Sequence, residues 1–141
     1  MSSLRDLIQA MARGDAPPPP VAEFVGLRLV SAEPGEAVME MTVERHHHNP
    51  MGMLQGGIVA TLADGAMGYA YAAGLGDGES FTTIGLHVDY VKGVREGTIR
   101  ASARVVRRGR TIGLVECDVT DAEGALLARA SSTCMTLRPE G

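Results

Sequence analysis

The chain has 141 residues, 45% of them hydrophobic and 21% charged, with a formal net charge of −4. That length holds one domain with a real core, and that balance is typical of a globular protein. It excludes a general nucleic-acid binder, which would be basic, and it carries no polybasic membrane signal.

Residues 1–13 predict an amphipathic helix, with Leu4, Leu7, Ile8 and Met11 on one face. The same stretch is charged and lacks the apolar core of a signal peptide. Residues 17–20 are four prolines and predict a stiff polyproline spacer. The expected division is therefore 1–20, helix and spacer, and 21–141, the main folded domain.

A first strand is expected over 27–33. Residues 38–43 alternate clearly, with Met39, Met41 and Val43 on one side and Glu40 and Thr42 on the other. A loop rich in His, Asn, Pro and Gly covers 45–55. One long helix is expected from Gly56 to about Ala73, rich in Ala, Leu and Met but interrupted by glycines, which weaken it unless something packs closely there. The apolar run 58–75 contains Asp64, so a buried helix explains it better than a membrane span.

The remainder predicts strands. In 81–91, Ile84, Leu86, Val88 and Tyr90 alternate with Thr83, Gly85, His87 and Asp89. In 98–107, Ile99, Ala101, Ala103 and Val105 alternate with polar residues, and strands at 111–120 and 126–137 follow. The connections at 95–97, 108–109 and 121–124 are short and contain glycine, which predicts antiparallel neighbours throughout. A sheet with one apolar face and a helix apolar nearly all round must cover each other. The fold class is thus α+β: an antiparallel sheet of five or six strands curled around one long helix. Cys117 and Cys134 form no CxxC pair and read as small core residues in a reducing, cytoplasmic setting.

The stretch HHHNPMGMLQGG, residues 46–57, raises two chemical possibilities. His46 and His48 could face the same way and bind a metal, but no third ligand has convincing spacing. A polar loop with an imidazole bonded to backbone is the alternative. His87 reads equally as a satisfied structural histidine or as the wall of a wet cleft. At Gly56–Gly57 a helix begins with unpaired N–H groups and the positive end of its dipole, which suits an anion or a developing oxyanion. Asp64 is the only charge in its apolar run. It is costly to desolvate unless it meets water, a donor or a substrate; a hydrogen bond to Thr61 is the structural alternative.

Gly56 and Asp64 are eight positions apart, about 12 Å along a helix. They cannot both touch one carbonyl carbon. If both act in one reaction, they come from different chains, as two antiparallel helices across a twofold axis would arrange them. Gly65 and Gly68 beside Asp64 fit a close approach there.

The pattern Asn49-x-x-Gly52-x-x-Gln55-Gly56-Gly57, followed by Leu62-Ala63-Asp64, resembles the hotdog-fold acyl-CoA thioesterases, in particular the phenylacetic-acid-degradation branch. The stretch from 88 to 135 is similar to that family's sheet through its turn glycines and its Arg-Gly-Arg, and the resemblance covers residues 25–137. It implies a hotdog fold and hydrolysis of acyl-CoA to acid and CoA. It also implies a cytoplasmic homodimer or dimer of dimers, with no metal or other cofactor. It further implies that Asp64 is the general base or nucleophile and that the N–H of Gly56, with Gly57, polarises the carbonyl. Asn49 then positions the carbonyl or water, and Thr83 helps hold the water. Gln55 stands where most relatives of this branch have histidine; it can hydrogen-bond a carbonyl or thiolate but supplies no proton. Gly93 stands where a proline is usual.

The CoA end of such a substrate wants cations, for which Arg108 and Arg110, among Arg104 and Arg107, and Lys92 beside Arg95 are candidates. Solvated hairpins explain them equally. Met51, Met53, Met67 and Tyr71 are candidates for an adaptable acyl pocket, with core packing as the alternative. Two rival readings share the scaffold: a non-catalytic acyl-CoA-binding protein, and a dehydratase or hydratase, which would want a catalytic histidine where Gln55 stands.

Overall fold

A computed structural model describes residues 3–139. Residues 1–2 of the expected N-terminal helix and residues 140–141 of the expected main domain lie outside the described residues. Helix α1 spans Leu4–Arg13. Ser3 caps it, its hydroxyl accepting from the Asp6 N–H at 3.1 Å. Ile8 is buried in the common core, so α1 packs onto the domain.

A second helix, α2, spans Pro20–Val25 and was not expected from periodicity. The last of the four prolines is its first residue, where a fixed φ suits a helix and the missing N–H costs nothing. Only Pro17 to Pro19 remain as spacer.

Strands β1 (Arg28–Glu33), β2 (Glu36–Val43), β3 (Ser80–Tyr90), β4 (Gly97–Arg108), β5 (Ile112–Thr120) and β6 (Leu126–Leu137) form one six-stranded antiparallel sheet, in the order β1-β2-β4-β5-β6-β3. The alternation read in β2 holds: Met39, Met41 and Val43 are buried. Helix α3, Gly56–Ala72, touches every strand of the sheet. Leu62, Ala63, Ala66, Met67, Ala70 and Tyr71 are wholly buried on it, which explains why it is apolar nearly all round. The sheet wraps the helix in the hotdog arrangement. No helix among the described residues is long and apolar enough to cross a membrane.

Two strand expectations require correction. The connection at 95–97 does not make β3 and β4 neighbours: β3 lies at one edge beside β6, and β4 lies between β2 and β5. Residues 91–96 are an extended crossover whose backbone bonds elsewhere. Val91 and Lys92 donate to the Leu127 carbonyl at 2.8 and 3.1 Å, and Leu54 donates to that of Val94 at 2.8 Å. The second correction lies inside β3. The register slips between Thr83 and Gly85, leaving Ile84 as an extra residue. Such a bulge reverses the facing of everything before it. Thr83 therefore pairs with buried Cys134, on the side of α3, whereas His87 pairs with exposed Ser131 on the outer face.

His47 is a structural anchor. Its Nδ1 accepts from the Glu44 N–H at 3.0 Å, so the proton sits on Nε2, which donates to the Val25 carbonyl at 2.7 Å. It is 4% exposed. His47→Ala leaves both backbone groups without that partner and is expected to cost about 2–3 kcal/mol, read as a lower urea midpoint. His48 donates from Nε2 to the Arg95 carbonyl at 2.7 Å, tying this loop to the crossover.

Candidate active site

Helix α3 begins in a loop that Asn49 organises. Its side-chain oxygen accepts from the N–H groups of Met51 at 2.9 Å and Met53 at 3.2 Å. Its own N–H donates to the Met53 carbonyl at 2.7 Å. The Asn49 oxygen is thus engaged in loop geometry, and its amide NH2 is the part left to act. Gln55 takes the N-cap position without a side-chain capping bond and is exposed.

Ile58 and Val59 both donate to the Gln55 carbonyl, at 2.9 and 3.3 Å. The N–H groups of Gly56 and Gly57 have no acceptor among the described residues. They are two free donors at the positive end of a 17-residue helix. The Tyr90 hydroxyl donates to the Gly56 carbonyl at 2.6 Å, and a Cβ at Gly56 would lie 3.1 Å from the Tyr90 ring. A side chain at 56 would therefore press on the Tyr90 ring. At Gly57 an added Cβ meets nothing within 4 Å, so that side is open to a ligand.

Asp64 lies two turns further on, exposed on the free flank of α3. No described residue pairs with it or donates to it. Thr61 is not its partner, because that hydroxyl donates to the Gly57 carbonyl at 2.9 Å. Packed atoms around Asp64 still strip enough water to raise its carboxyl pKa, by desolvation alone. Burial pushes the Cys134 thiol up, and the Asp64 charge adds to that rise, so the two side chains are electrostatic neighbours. Thr83 Oγ1 lies 4.0 Å from the same sulfur. Thr83 thus borders the sulfur that feels the Asp64 charge, and Asp64 lies about two helical turns from Gly56 along α3.

Next to the helix start lies a cleft of about 470 Å³, lined by Asn49, Met51, Met53, Gly56, Tyr90 and Lys92 among others. Its size suits a small organic group, and most of its walls are apolar. Gly56, which carries one of the free donors, lines one end of the cleft, and its lining among the described residues includes no carboxylate, so a nucleophile or base would have to come from elsewhere.

A free-donor helix start beside an apolar cleft, on a sheet wrapped around that helix, fits the family to which residues 51–128 match: the thioesterase superfamily. The chain belongs to the thioesterase superfamily. It is a thioester hydrolase. Acyl-coenzyme A thioesterase 13 of Homo sapiens is 32% identical to it over 134 residues, covering 93% of this chain and 92% of the relative. The 1,4-dihydroxy-2-naphthoyl-CoA hydrolase of Listeria monocytogenes is 27% identical over 111 residues, 79% of this chain and 90% of that protein. A phenylacetic acid degradation-related protein from Ralstonia eutropha superposes with a TM-score of 0.84 at 30% identity, covering 92% of this chain and 98% of the other.

The other site candidates of this thioesterase are dispersed. Lys92 stays at the cleft, paired with Asp121 at 3.7 Å. The Arg108 guanidinium lies 4.0 Å over the Tyr71 ring and donates to the Tyr71 carbonyl at 2.7 Å. It is engaged at the C-terminal end of α3, opposite the Gly56 end. Arg110 is exposed, and its carbonyl accepts from Arg138. His87 pairs with Asp89 at 3.0 Å on the outer face, in a hollow of about 480 Å³ shared with Glu116 and Ser131. Met67 and Tyr71 are core residues, with the Tyr71 hydroxyl 2.6 Å from Thr136 Oγ1. Gly65 and Gly68 are approached within this chain: a Cβ at each would lie 3.0 Å from Met39 Sδ and 3.3 Å from Phe81 Cζ. Cys117 and Cys134 are buried and free, with burial pushing the Cys117 thiol up to about 12. Among the described residues no group of three or more His, Cys, Asp or Glu is placed to hold a metal.

Proposed function

We propose that the thioesterase hydrolyses acyl-CoA at a site shared by two copies of the chain, where the Gly56–Gly57 helix start of one meets Asp64 of the partner subunit. One observation carries the reading: two free donors and one unpaired, desolvated carboxylate occupy the same continuous helix, eight residues apart. About 12 Å separates them along the axis, too far for one carbonyl. The relatives named for acyl-CoA and naphthoyl-CoA hydrolysis supply the substrate class.

The edge strand supports the pairing. Ile84, Leu86 and Tyr90 on β3 are 56%, 44% and 55% exposed, and an open apolar strand edge invites an identical edge. Such dimers would pair again into a tetramer.

In the reaction the thioester carbonyl oxygen accepts from the free glycine N–H groups, which hold the negative charge as it develops. Asp64 takes a proton from water while the water oxygen bonds to the carbonyl carbon. The C–S bond breaks, and the proton passes to the departing CoA sulfur. Direct attack by Asp64, forming an anhydride that water then opens, uses the same residues. Oxygen-18 uptake from labelled water in a single turnover separates the two routes. Gln55 is free to steady the carbonyl or the sulfur, and Thr83 the water.

Either route needs Asp64 ionised, and its pKa is raised. The rate is therefore expected to fall as pH drops through a value above the ordinary Asp pKa of about 3.9. A profile of kcat/KM against pH checks this. A flat profile down to pH 4 would count against Asp64 as the group that titrates.

The substrate class is tested by a screen of aryl, short, medium and long acyl-CoAs, with released CoA read by a thiol reagent. Release from at least one class supports the proposal; none across the panel removes it.

A further inference from the structure

The cleft beside Gly56 has one fixed wall and one movable wall. Tyr90 is the fixed one, tied by its hydroxyl to the Gly56 carbonyl. Met53 is the other. Its backbone is held on both sides by Asn49, so only its side chain can move. That side chain is an unbranched thioether with three rotatable bonds, the most adaptable apolar group available. Its end lies in a recess: a Cβ at Gly93 would collide with Met53 Cε. Gly93 is not among the glycines with positive φ, so its backbone would accept alanine. What glycine provides at 93 is room for the tip of Met53.

We propose that Gly93 and Met53 together set the length of acyl chain the thioesterase accepts, Gly93 being the recess into which the Met53 methyl withdraws from the cleft. The inference rests on the acyl-CoA reading above. The lining supports an acyl occupant: Met51, Leu54, Val59, Val94 and Leu127 are apolar, and Gly56, which carries one of the free donors, lines the cleft at one end. With the methyl withdrawn into the recess, the cleft is open to a longer chain. With the recess filled, the methyl turns into the cleft and shortens it.

The test compares kcat/KM for dodecanoyl-CoA with that for butanoyl-CoA. Gly93→Ala is expected to lower the dodecanoyl-to-butanoyl ratio on the order of tenfold, the discrimination that one methylene produces in a tight apolar pocket. Met53→Ala is expected to raise it. On the Met53→Ala background, Gly93→Ala should no longer lower the ratio, because the group it displaces is gone. An unchanged ratio in Gly93→Ala, or an equal fall with and without Met53, overturns the proposal.

Thermal melts establish that each variant folds. Should Gly93→Ala not fold, Met53→Phe and Met53→Ala carry the test, one lowering and one raising the ratio; no movement in either overturns it. A wild-type protein inert to every acyl-CoA removes the acyl-CoA reading and this inference together. An active one whose ratios ignore both residues removes the inference alone.

Discussion

Asp64→Asn is expected to lower kcat at least about a hundredfold, with the protein still folded and the proposed dimer still formed. Asparagine has nearly the same shape and still accepts hydrogen bonds through its carbonyl oxygen, but it cannot take a proton from water or attack a thioester. A packing role predicts little loss from so close a replacement. The structure leaves little room for a packing role: Asp64 is exposed, no described residue bonds to it, and Thr61 is engaged with the Gly57 carbonyl. Such a carboxylate, desolvated enough to raise its pKa, gains nothing for the fold from its charge. Removing that charge should therefore leave Tm at pH 7 unchanged or higher. Steady-state kinetics with the best acyl-CoA, together with sedimentation, read both halves of the expectation. Wild-type kcat in this variant would remove Asp64 from the reaction; a large fall in Tm would make it structural.

What could be read from the sequence divides by range. The alternation in β2 and the long apolar run of α3 are local patterns, and both elements stand nearly where expected. Asp64 and the Gly56–Gly57 pair stood out for the same reason: each breaks a local rule, a charge in an apolar run and two glycines at a helix start. Helix α2 is only six residues long, too short for periodicity, and its one signal was a proline at the first helical position. The bulge at Ile84 carries no local mark, because the alternation continues on both sides of it. Only pairing with β6 reveals that Thr83 and His87 face opposite ways.

In the sequence Tyr90 reads only as a strand residue. Its bond to Gly56 joins residues 34 apart in sequence, and nothing near either one announces it. Gly65 and Gly68 read in the sequence as a close approach between the helices of two chains, and the structure corrects that reading. Met39 and Phe81 of the same chain occupy those places. The histidine run was the loudest local signal, yet two of its three side chains serve the backbone. A strong pattern locates an exception, and the partner that explains it is supplied by the fold.

A mixture of two inactive variants is expected to recover activity, and its size discriminates between site architectures. Asp64→Asn keeps an intact helix start. Gly56→Val keeps Asp64 but destroys the start, since its side chain collides with Tyr90 and screens the free N–H groups. After random subunit exchange in equal amounts, half of the dimers hold one chain of each kind. If each site combines the helix start of one chain with Asp64 of the other, every mixed dimer contains one intact site and one doubly damaged site. One site in four then works, and the mixture reaches about a quarter of wild-type activity. If each site lies within one chain, every site in every dimer carries a lesion and activity stays at the level of the separate variants. Differently tagged chains, co-purified from a portion of the mixture, establish that exchange occurred and exclude a failure to mix; those purified mixed dimers should show about half of wild-type activity. Recovery near a quarter fits a site divided between subunits, and no recovery in co-purified mixed dimers refutes it whatever the substrate.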